Sequence, residues 1–560
     1  MMPHIKFSAV SLALLFLDAC ASRRISNAPQ PQTSVYHLTV TTHPAERALD
    51  VSGTLAISPS GHERSEIRLS LIDRIDKWNV DIVEPGVSAG LALTEQVTRA
   101  TAQVAGERST TAQWIIRPQK PIPAGNSVTL RFSYRLSGRT SLIYYVGPEV
   151  AFGSGWGDPF YPVVPGTQGV ATGDLTVEAP QGWKVITGAK PRSSDKDEAR
   201  GIYRFTQSLP TPFTFLAGPY TVVKRDGATP LSAWLLTRRK RFDEFLPGAS
   251  AMLDVLSNEF GPYVFNQFSL VEVPRAIAIE SGFNAFSPAG FVVLNSRAFD
   301  ARDARVMNEW LGHEMTHQWF PHSVTWDPPG FLYLEEALAE YGGLRIVEVL
   351  DGSDAAKVLR TTGSPSDPIY SASAYFKLVG AGVDQPLSTM KSGINERNLA
   401  YNKGFIVFDM LAREMGRDRF QRMMRGLTNR RPFQTITWNQ FRDAVAKESG
   451  QNMDWFFTQW LDRAGAPEFH LAWKQDADTV RGTITQPEPY YRATLKVEAR
   501  GVAGEIAHYS VQLDGGSRTF AFPVGFHVRQ VELDPGYEVL RWTPQFHALA
   551  DSMRAASRRQ

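Results

Sequence analysis

His313-Glu314-Met315-Thr316-His317 sets two imidazoles four residues apart, with a carboxylate beside the first. In a helix, positions i and i+4 share one face, so both rings can reach a single metal ion. Glu314 stands one step off that face and can reach a water activated at the metal rather than the metal itself. Two nitrogen donors leave such a site incomplete. After the chain-breaking run Trp326-Asp327-Pro328-Pro329-Gly330 comes Leu334-Glu335-Glu336-Ala337-Leu338-Ala339-Glu340-Tyr341, in which Glu336 is separated from His317 by 18 residues. Folded back as an antiparallel partner helix, this segment brings a carboxylate to complete a His313/His317/Glu336 set and leaves a fourth position for water. One Zn²⁺ per chain is the expected cofactor, because two imidazoles and one carboxylate leave the metal net positive and able to lower the pKa of that water towards ~7. Glu335 and Glu340 are expected to be solvated or supporting carboxylates. The chain of 560 residues has one cysteine, so neither an intramolecular disulfide nor a thiolate cluster is available to it.

The elements that must hold these residues follow from periodicity. Apolar residues recur at helical spacing over Phe242–Phe260, Ala301–Phe320, Leu334–Leu350 and Gly404–Met415. Asp300 or Asp303 is available to cap the helix bearing the histidines. Ahead of this region, from Val35 to Val222, short alternating segments such as Val35–Thr42, Val128–Tyr134 and Leu175–Ala179 are separated by Gly, Pro and Ser turns. After Pro467 strands return at Phe469–Trp473, Thr494–Ala499, Ala507–Leu513 and Val528–Leu533. The expected fold is multidomain α+β: an N-terminal β-sandwich or saddle domain at 35–222, a mainly α catalytic domain at 223–466, a small C-terminal β-sandwich at 467–545 and a tail at 546–560. The stretch Tyr144–Gly166 is too rich in Gly and Pro for a regular element, while its aromatics are costly to expose. It reads either as a loop packed on its neighbours or as a wall of a ligand cleft.

Residues 1–20 run from Lys6 through an apolar stretch, Phe7 to Leu17, to Leu17-Asp18-Ala19-Cys20. That order is a signal peptide, too short to span a bilayer. Leu17–Cys20 resembles a bacterial lipobox, in which Cys20 would carry a lipid anchor. The alternative is secretory cleavage after Ala19-Cys20-Ala21. Either way the chain is expected to be exported, as a lipoprotein on the periplasmic face of a bacterial membrane or as a soluble secreted form, with a polar tether over 21–34. Lys plus Arg number 59 against 57 Asp plus Glu, a balance that argues against a nucleic-acid partner.

The motif HEMTHQWF, the 18-residue interval and Glu336 in LEEALAEY resemble the aminopeptidase N family of zinc metallopeptidases, the gluzincins. Other landmarks agree in order: Ala217-Gly218-Pro219-Tyr220, Phe260-Gly261-Pro262-Tyr263, Tyr401-Asn402-Lys403-Gly404, Gln459-Trp460-Leu461 and Gly465-Ala466-Pro467. The resemblance covers roughly residues 35–475 and implies a thermolysin-like catalytic domain acting on peptides. It implies that Glu314 is the general base and that Tyr401 donates to the oxyanion. The family's G-x-M-E-N edge strand aligns with Ile277-Ala278-Ile279-Glu280-Ser281, so Ala278 and Ile279 are expected to bind the substrate backbone and Glu280 its amine. Ile277 stands where the family has glycine and Ser281 where it has asparagine. Many relatives also carry a large helical domain over the cleft, for which this chain has a β-like module. These departures admit an endopeptidase beside the aminopeptidase reading, and a non-catalytic peptide-binding lipoprotein is the rival of another class.

Overall fold

The computed structural model describes residues 34–83, 91–99, 103–104, 107–108, 111–138, 140–167, 169–237, 242–300, 304–326, 331–363, 370–389, 394–430 and 433–557. The expected signal peptide with Cys20, all but the last residue of the expected tether, Asp303 and Asp327–Gly330 lie outside the described residues. Alternation builds the first sheet. In Val128–Ser137 and Ser34–His43 every second side chain is buried, as a sheet with one face on a core requires. Seven strands run in the order Lys190–Pro191, Ile202–Pro212, Val170–Glu178, Ser34–His43, Ala48–Ile57, Val128–Ser137, Ile75–Ile82. Ser34–His43 pairs parallel with Val170–Glu178, and its other neighbour, Ala48–Ile57, is antiparallel. The sheet Ile67–Ile72, Thr111–Pro118, Leu91–Arg99 shares one apolar core with it, through Leu69, Leu71 and Trp114 packed with Tyr36, Leu38 and Leu130.

The expectation that Tyr144–Gly166 holds no regular element is corrected. Tyr144–Val146 and Ala151–Ser154 are strands of a five-stranded sheet with Thr140–Ser141, Thr214–Gly218 and Lys184–Thr187. Glycine permits this rather than forbidding it: a Cβ on Gly153 would stand 2.9 Å from the Phe160 ring, so the bare backbone lets the ring lie on the strand. Tyr145 and Phe152 share a buried cluster with Ile277, Ala278, Phe283 and Phe286, and the stretch thereby supports the segment that leads to the site.

The helical region is built on a sheet ordered Thr221–Arg225, Leu231–Leu235, Phe268–Val273, Phe291–Asn295, Ala285–Phe286, with the last two-residue strand at the edge. Helices Ala304–Thr316 and Phe331–Leu350, here called the histidine and glutamate helices, pack against each other in opposite directions. Gly312 faces Ile346, whereas His317 faces Glu336. Their contact is unusually close. A Cβ on Gly343 would sit 2.9 Å from the Glu309 carbonyl oxygen and 3.4 Å from the His313 nitrogen, and one on Gly312 only 3.2 Å from the Gly343 Cα. The glycines let the two backbones touch.

The C-terminal module has two three-stranded sheets, His470–Asp476/Thr479–Thr485/Ser517–Pro523 and Ile506–Leu513/Ala493–Gly501/Val528–Leu533. Beyond it, the residues expected to be a tail form helix Pro544–Ser557. Its Phe546 ring stacks on Phe376 with centroids 4.9 Å apart, burying an apolar face that the sequence reading left unassigned. A buried charge cluster joins module and helices. Asp409 accepts from Arg360 and Arg413 at 3.0 Å each and from Arg417 at 2.5 Å. Glu348, near the end of the glutamate helix, pairs with Arg413 at 2.7 Å and Arg417 at 3.0 Å. Glu538 reaches Arg413 at 2.8 Å from the C-terminal side. Among the described residues no helix is long and apolar enough to cross a membrane.

Gly343→Ala is expected to force the helices apart against rigid backbone, costing about 1–3 kcal/mol of stability and weakening zinc binding by ~10-fold or more as the donors separate. Gly426→Ala, on a helix with open space at that position, should be neutral or stabilising by up to about 1 kcal/mol. Thermal unfolding and chelator competition on both variants check this.

Candidate metal centre

His313 lies in the last turn of the histidine helix, and His317 opens the turn that follows its end at Thr316. The His317 Nδ1 is 2.8 Å from the Phe320 carbonyl. A carbonyl only accepts, so Nδ1 carries the hydrogen and Nε2 keeps its lone pair. His313 lies beside a carboxylate, its Nδ1 2.9 Å from Glu340 Oε1 without hydrogen-bond alignment. The two Nε2 atoms are 3.1 Å apart, and each is 3.6 Å from Glu336 Oε2. Tetrahedral zinc with bonds of ~2.0–2.1 Å spaces its donors by roughly 3.3–3.4 Å, and these three separations straddle that value. Glu336 Oε2 is buried without a hydrogen-bond partner. An orphaned acceptor facing two nitrogen lone pairs is costly unless a cation sits among them. The donor set therefore fits a zinc ion.

The electrostatics agree with that assignment. Burial acts to raise the Glu336 carboxyl, but His317, Arg397, His313 and a hydrogen bond from Tyr401 together hold it below the ordinary range. Burial, with His313, pushes His317 down to about 4, so its ring is neutral and able to coordinate throughout the neutral range. Glu314 is raised by burial, against the opposing pull of His313 and of the Ser287 hydroxyl that donates to its Oε2. That shift moves a carboxylate towards the basicity a general base needs near neutral pH. Glu335 and Glu340 are both buried, which removes the solvated alternative and leaves that of supporting carboxylates. Glu340 lies beside His313, and burial beside Glu336 pushes the Glu335 carboxyl well up.

Tyr401 is brought to the same place by a widened i→i+5 turn over Ala400–Gly404, between helices Ile394–Leu399 and Phe405–Met415. Such turns rotate side chains out of the regular helical register. The Tyr401 ring stacks on His313 with centroids 5.7 Å apart and on Tyr370 at 4.6 Å. Its hydroxyl donates to Glu336 and accepts from Arg397 Nη2 at 3.2 Å.

Residues 277–281 differ from expectation. Arg275–Glu280 is a helix begun at Pro274, with the Ala278 amide donating to the Pro274 carbonyl at 3.0 Å. A helix spends its backbone groups internally and offers no ladder to an extended peptide. Ala278 is buried in the Phe283–Phe286 cluster, Ile279 is 54% exposed, and Glu280 is exposed at the helix end. The edge strand is instead Ala285–Phe286, antiparallel to Phe291–Asn295. The segment that follows it is pinned to the histidine helix and the turn beyond: Gln318 Nε2 donates to the Pro288 carbonyl at 3.0 Å, the Gly290 amide to Gln318 Oε1 at 2.7 Å, and the His322 ring meets the Ser287 carbonyl. Sequence reasoning missed Ser287, Arg397 and Tyr370. Arg397 sits four residues before Tyr401, a helical spacing that could have drawn notice. Ser287, 27 residues from Glu314, left no local signal.

Comparison with known proteins adds an independent line. Residues 246–460 match the Peptidase family M1 domain. Aminopeptidase N of Streptomyces lividans is 25% identical over 386 residues, taking in 62% of this chain and 42% of that protein. Human aminopeptidase RNPEPL1 is 24% identical over 363 residues, 58% of this chain and 47% of that one. The chain thus spans less than half the length of these relatives. A crystal structure of Legionella pneumophila aminopeptidase A in complex with aspartic acid superposes with a TM-score of 0.66 at 15% identity, over 93% of this chain and 60% of that one, which establishes the likeness of fold.

The purified protein is expected to hold about one zinc per chain. Glu336→Ala should lower zinc affinity by 10-fold or more, on the order of that for loss of a ligand or its support. Glu314→Gln should retain the metal. Zinc analysis after dialysis against a graded chelator checks both, and loss of metal from the Glu314 variant would make that residue a ligand.

Proposed function

We propose that this chain, whose residues 246–460 match the Peptidase family M1 domain, is a zinc-dependent peptide hydrolase that removes N-terminal residues from peptides. The observation that carries the reading is the convergence, inside that domain, of three zinc donors with a carboxylate whose basicity is raised. Its similarity to aminopeptidases supports the choice of the N-terminal end.

Zinc held by His313, His317 and Glu336 would supply Lewis acidity, polarising the scissile carbonyl and bringing the pKa of a water towards ~7. Glu314 accepts the proton of the attacking water at its carboxylate and passes it to the departing amine. Ser287, donating to Oε2, keeps that carboxylate aimed. Tyr401 donates its hydroxyl hydrogen to the substrate's carbonyl oxygen as negative charge develops there, a contact of a kind worth about 3 kcal/mol in the transition state. The Phe320 carbonyl holds the His317 imidazole in register throughout, and Glu340 flanks that of His313.

The helix at Arg275–Glu280 favours keeping a second reading, that of an endopeptidase. With Glu280 exposed at a helix end, the carboxylate expected to anchor the amine is not on an edge strand. The deciding experiment compares free and N-acetylated peptides, with and without a zinc chelator. The aminopeptidase reading requires sequential release of N-terminal residues from free peptides, at least ~10²-fold slower cleavage of acetylated ones, and loss of both with chelator. Internal cleavage of blocked peptides at equal rate replaces it with the endopeptidase, and absence of any chelator-sensitive cleavage leaves peptide binding alone.

The N-terminal pattern supports export, with Cys20 lipidated and the enzyme tethered to the periplasmic face of a bacterial membrane. The mature protein should partition into detergent, and Cys20→Ser should release it to the soluble fraction. A native mature chain beginning at Ser22 and found in the soluble fraction establishes simple secretion instead.

A further inference from the structure

We propose that Arg397 is a positioning residue that aims the Tyr401 hydroxyl hydrogen into the metal site, an inference that rests on the role given to Tyr401 above. A phenol has one hydrogen to give and lone pairs to accept with, whereas a guanidinium has only donors and stays protonated throughout the accessible pH range. Where Arg397 Nη2 meets the Tyr401 oxygen at 3.2 Å, the phenol must therefore be the acceptor. Its single hydrogen is turned away, towards the Glu336 carboxylate that it meets in this structure. That is the side on which the candidate metal donors His313, His317 and Glu336 converge.

The rest of the Tyr401 side chain has little freedom left. The ring is stacked with His313 at 26° and with Tyr370 at 20° between planes. What packing cannot fix is the rotation of the hydroxyl about its C–O bond, and a donor-only neighbour fixes that. Arg397 is itself held in place. Its guanidinium lies 5.4 Å from the Tyr401 ring centroid, and Nη2 is 3.7 Å from Glu336 Oε1. A glutamine or serine at 397 could accept as well as donate and would let the phenol hydrogen swing round. The arginine also polarises the O–H bond, since hydrogen bonds in a chain strengthen one another.

The test uses Arg397→Met, Arg397→Lys, Tyr401→Phe and the Arg397→Met/Tyr401→Phe double variant, each loaded with zinc. It measures kcat and KM, zinc content, and the affinity of a phosphinate peptide, whose tetrahedral phosphorus mimics the transition state, against that of a product amino acid. Arg397→Met is expected to lower kcat by about 10-fold with KM nearly unchanged, and to weaken the phosphinate by a similar factor. Zinc content and product binding should not move. Arg397→Lys, whose ammonium also only donates, should recover most of the loss, and Arg397→Met should cost nothing more once Tyr401 is Phe. Independent, multiplying losses in the double variant overturn the proposal, as does loss of zinc from Arg397→Met, which would place the arginine's role on Glu336. Wild-type behaviour of Arg397→Met beside a strongly impaired Tyr401→Phe overturns the proposal alone. A fully active Tyr401→Phe overturns the role of Tyr401 and the inference with it.

Discussion

Helices with ordinary side chains between them pack with axes 8–10 Å apart. At the crossing of the histidine and glutamate helices, Gly312 and Gly343 remove the side chains that would enforce such a spacing, and Gly342 makes room for Thr316, whose hydroxyl would lie 1.9 Å from an added Cβ. Ligand geometry follows from this approach. A wider crossing would draw Glu336 away from the two Nε2 atoms while leaving the histidine pair intact, because the pair is set within one short stretch of chain. The carboxylate donor depends on tertiary packing and the imidazole donors on local geometry. The same crossing brings Glu340, one turn beyond Glu336, against the back of His313.

Once the helices are that close, burial dominates the chemistry. Three carboxylates, Glu314, Glu335 and Glu340, are buried beside the two imidazoles, and the Glu336 side chain keeps only 12% exposure. Taking charge out of water is expensive, and the protein answers with positive neighbours and donors rather than with solvent. His317, Arg397 and His313 hold the Glu336 carboxyl below the ordinary range against burial, whereas burial and Glu336 push Glu335, beside it, the other way. Two adjacent carboxylates are thus shifted in opposite directions by their neighbours.

The sequence made the metal donors legible because their spacing is dictated by simple geometry: four residues for one helical turn, and a chain break followed by a second helix for the carboxylate. The Val128–Ser137 and Ser34–His43 strands were legible for the same reason, their alternation being local. Residues 277–281 were not. Ile277-Ala278-Ile279-Glu280 alternates no more like a strand than like a helix, and Pro274 sits as the N-cap, where its missing amide costs the helix nothing. The two-residue edge strand Ala285–Phe286 is too short to carry a period at all. Ser287 and the Tyr401 contact with Tyr370 arise where separate segments meet, and nothing in either segment alone announces the other. Tyr144–Gly166 misled because glycine was weighed as a breaker, whereas at Gly153 it makes space for an aromatic ring.

The buried cluster around Asp409 bears on where this protein can be cut. Arg360 is almost fully buried and donates to the Gly536 carbonyl at 3.2 Å, and Arg413 reaches Glu538, so two cations of the helical region are completed from the far end of the chain. Both arginines would keep Asp409 and Glu348, but leaving a buried donor short of a partner costs about 1–3 kcal/mol, a sizeable part of the stability of many domains. The C-terminal module is therefore no severable appendage. A fragment ending near Pro467 would keep His313, Glu314, His317 and Glu336, yet expose Phe376 and strand part of the arginine cluster on which the far end of the glutamate helix rests.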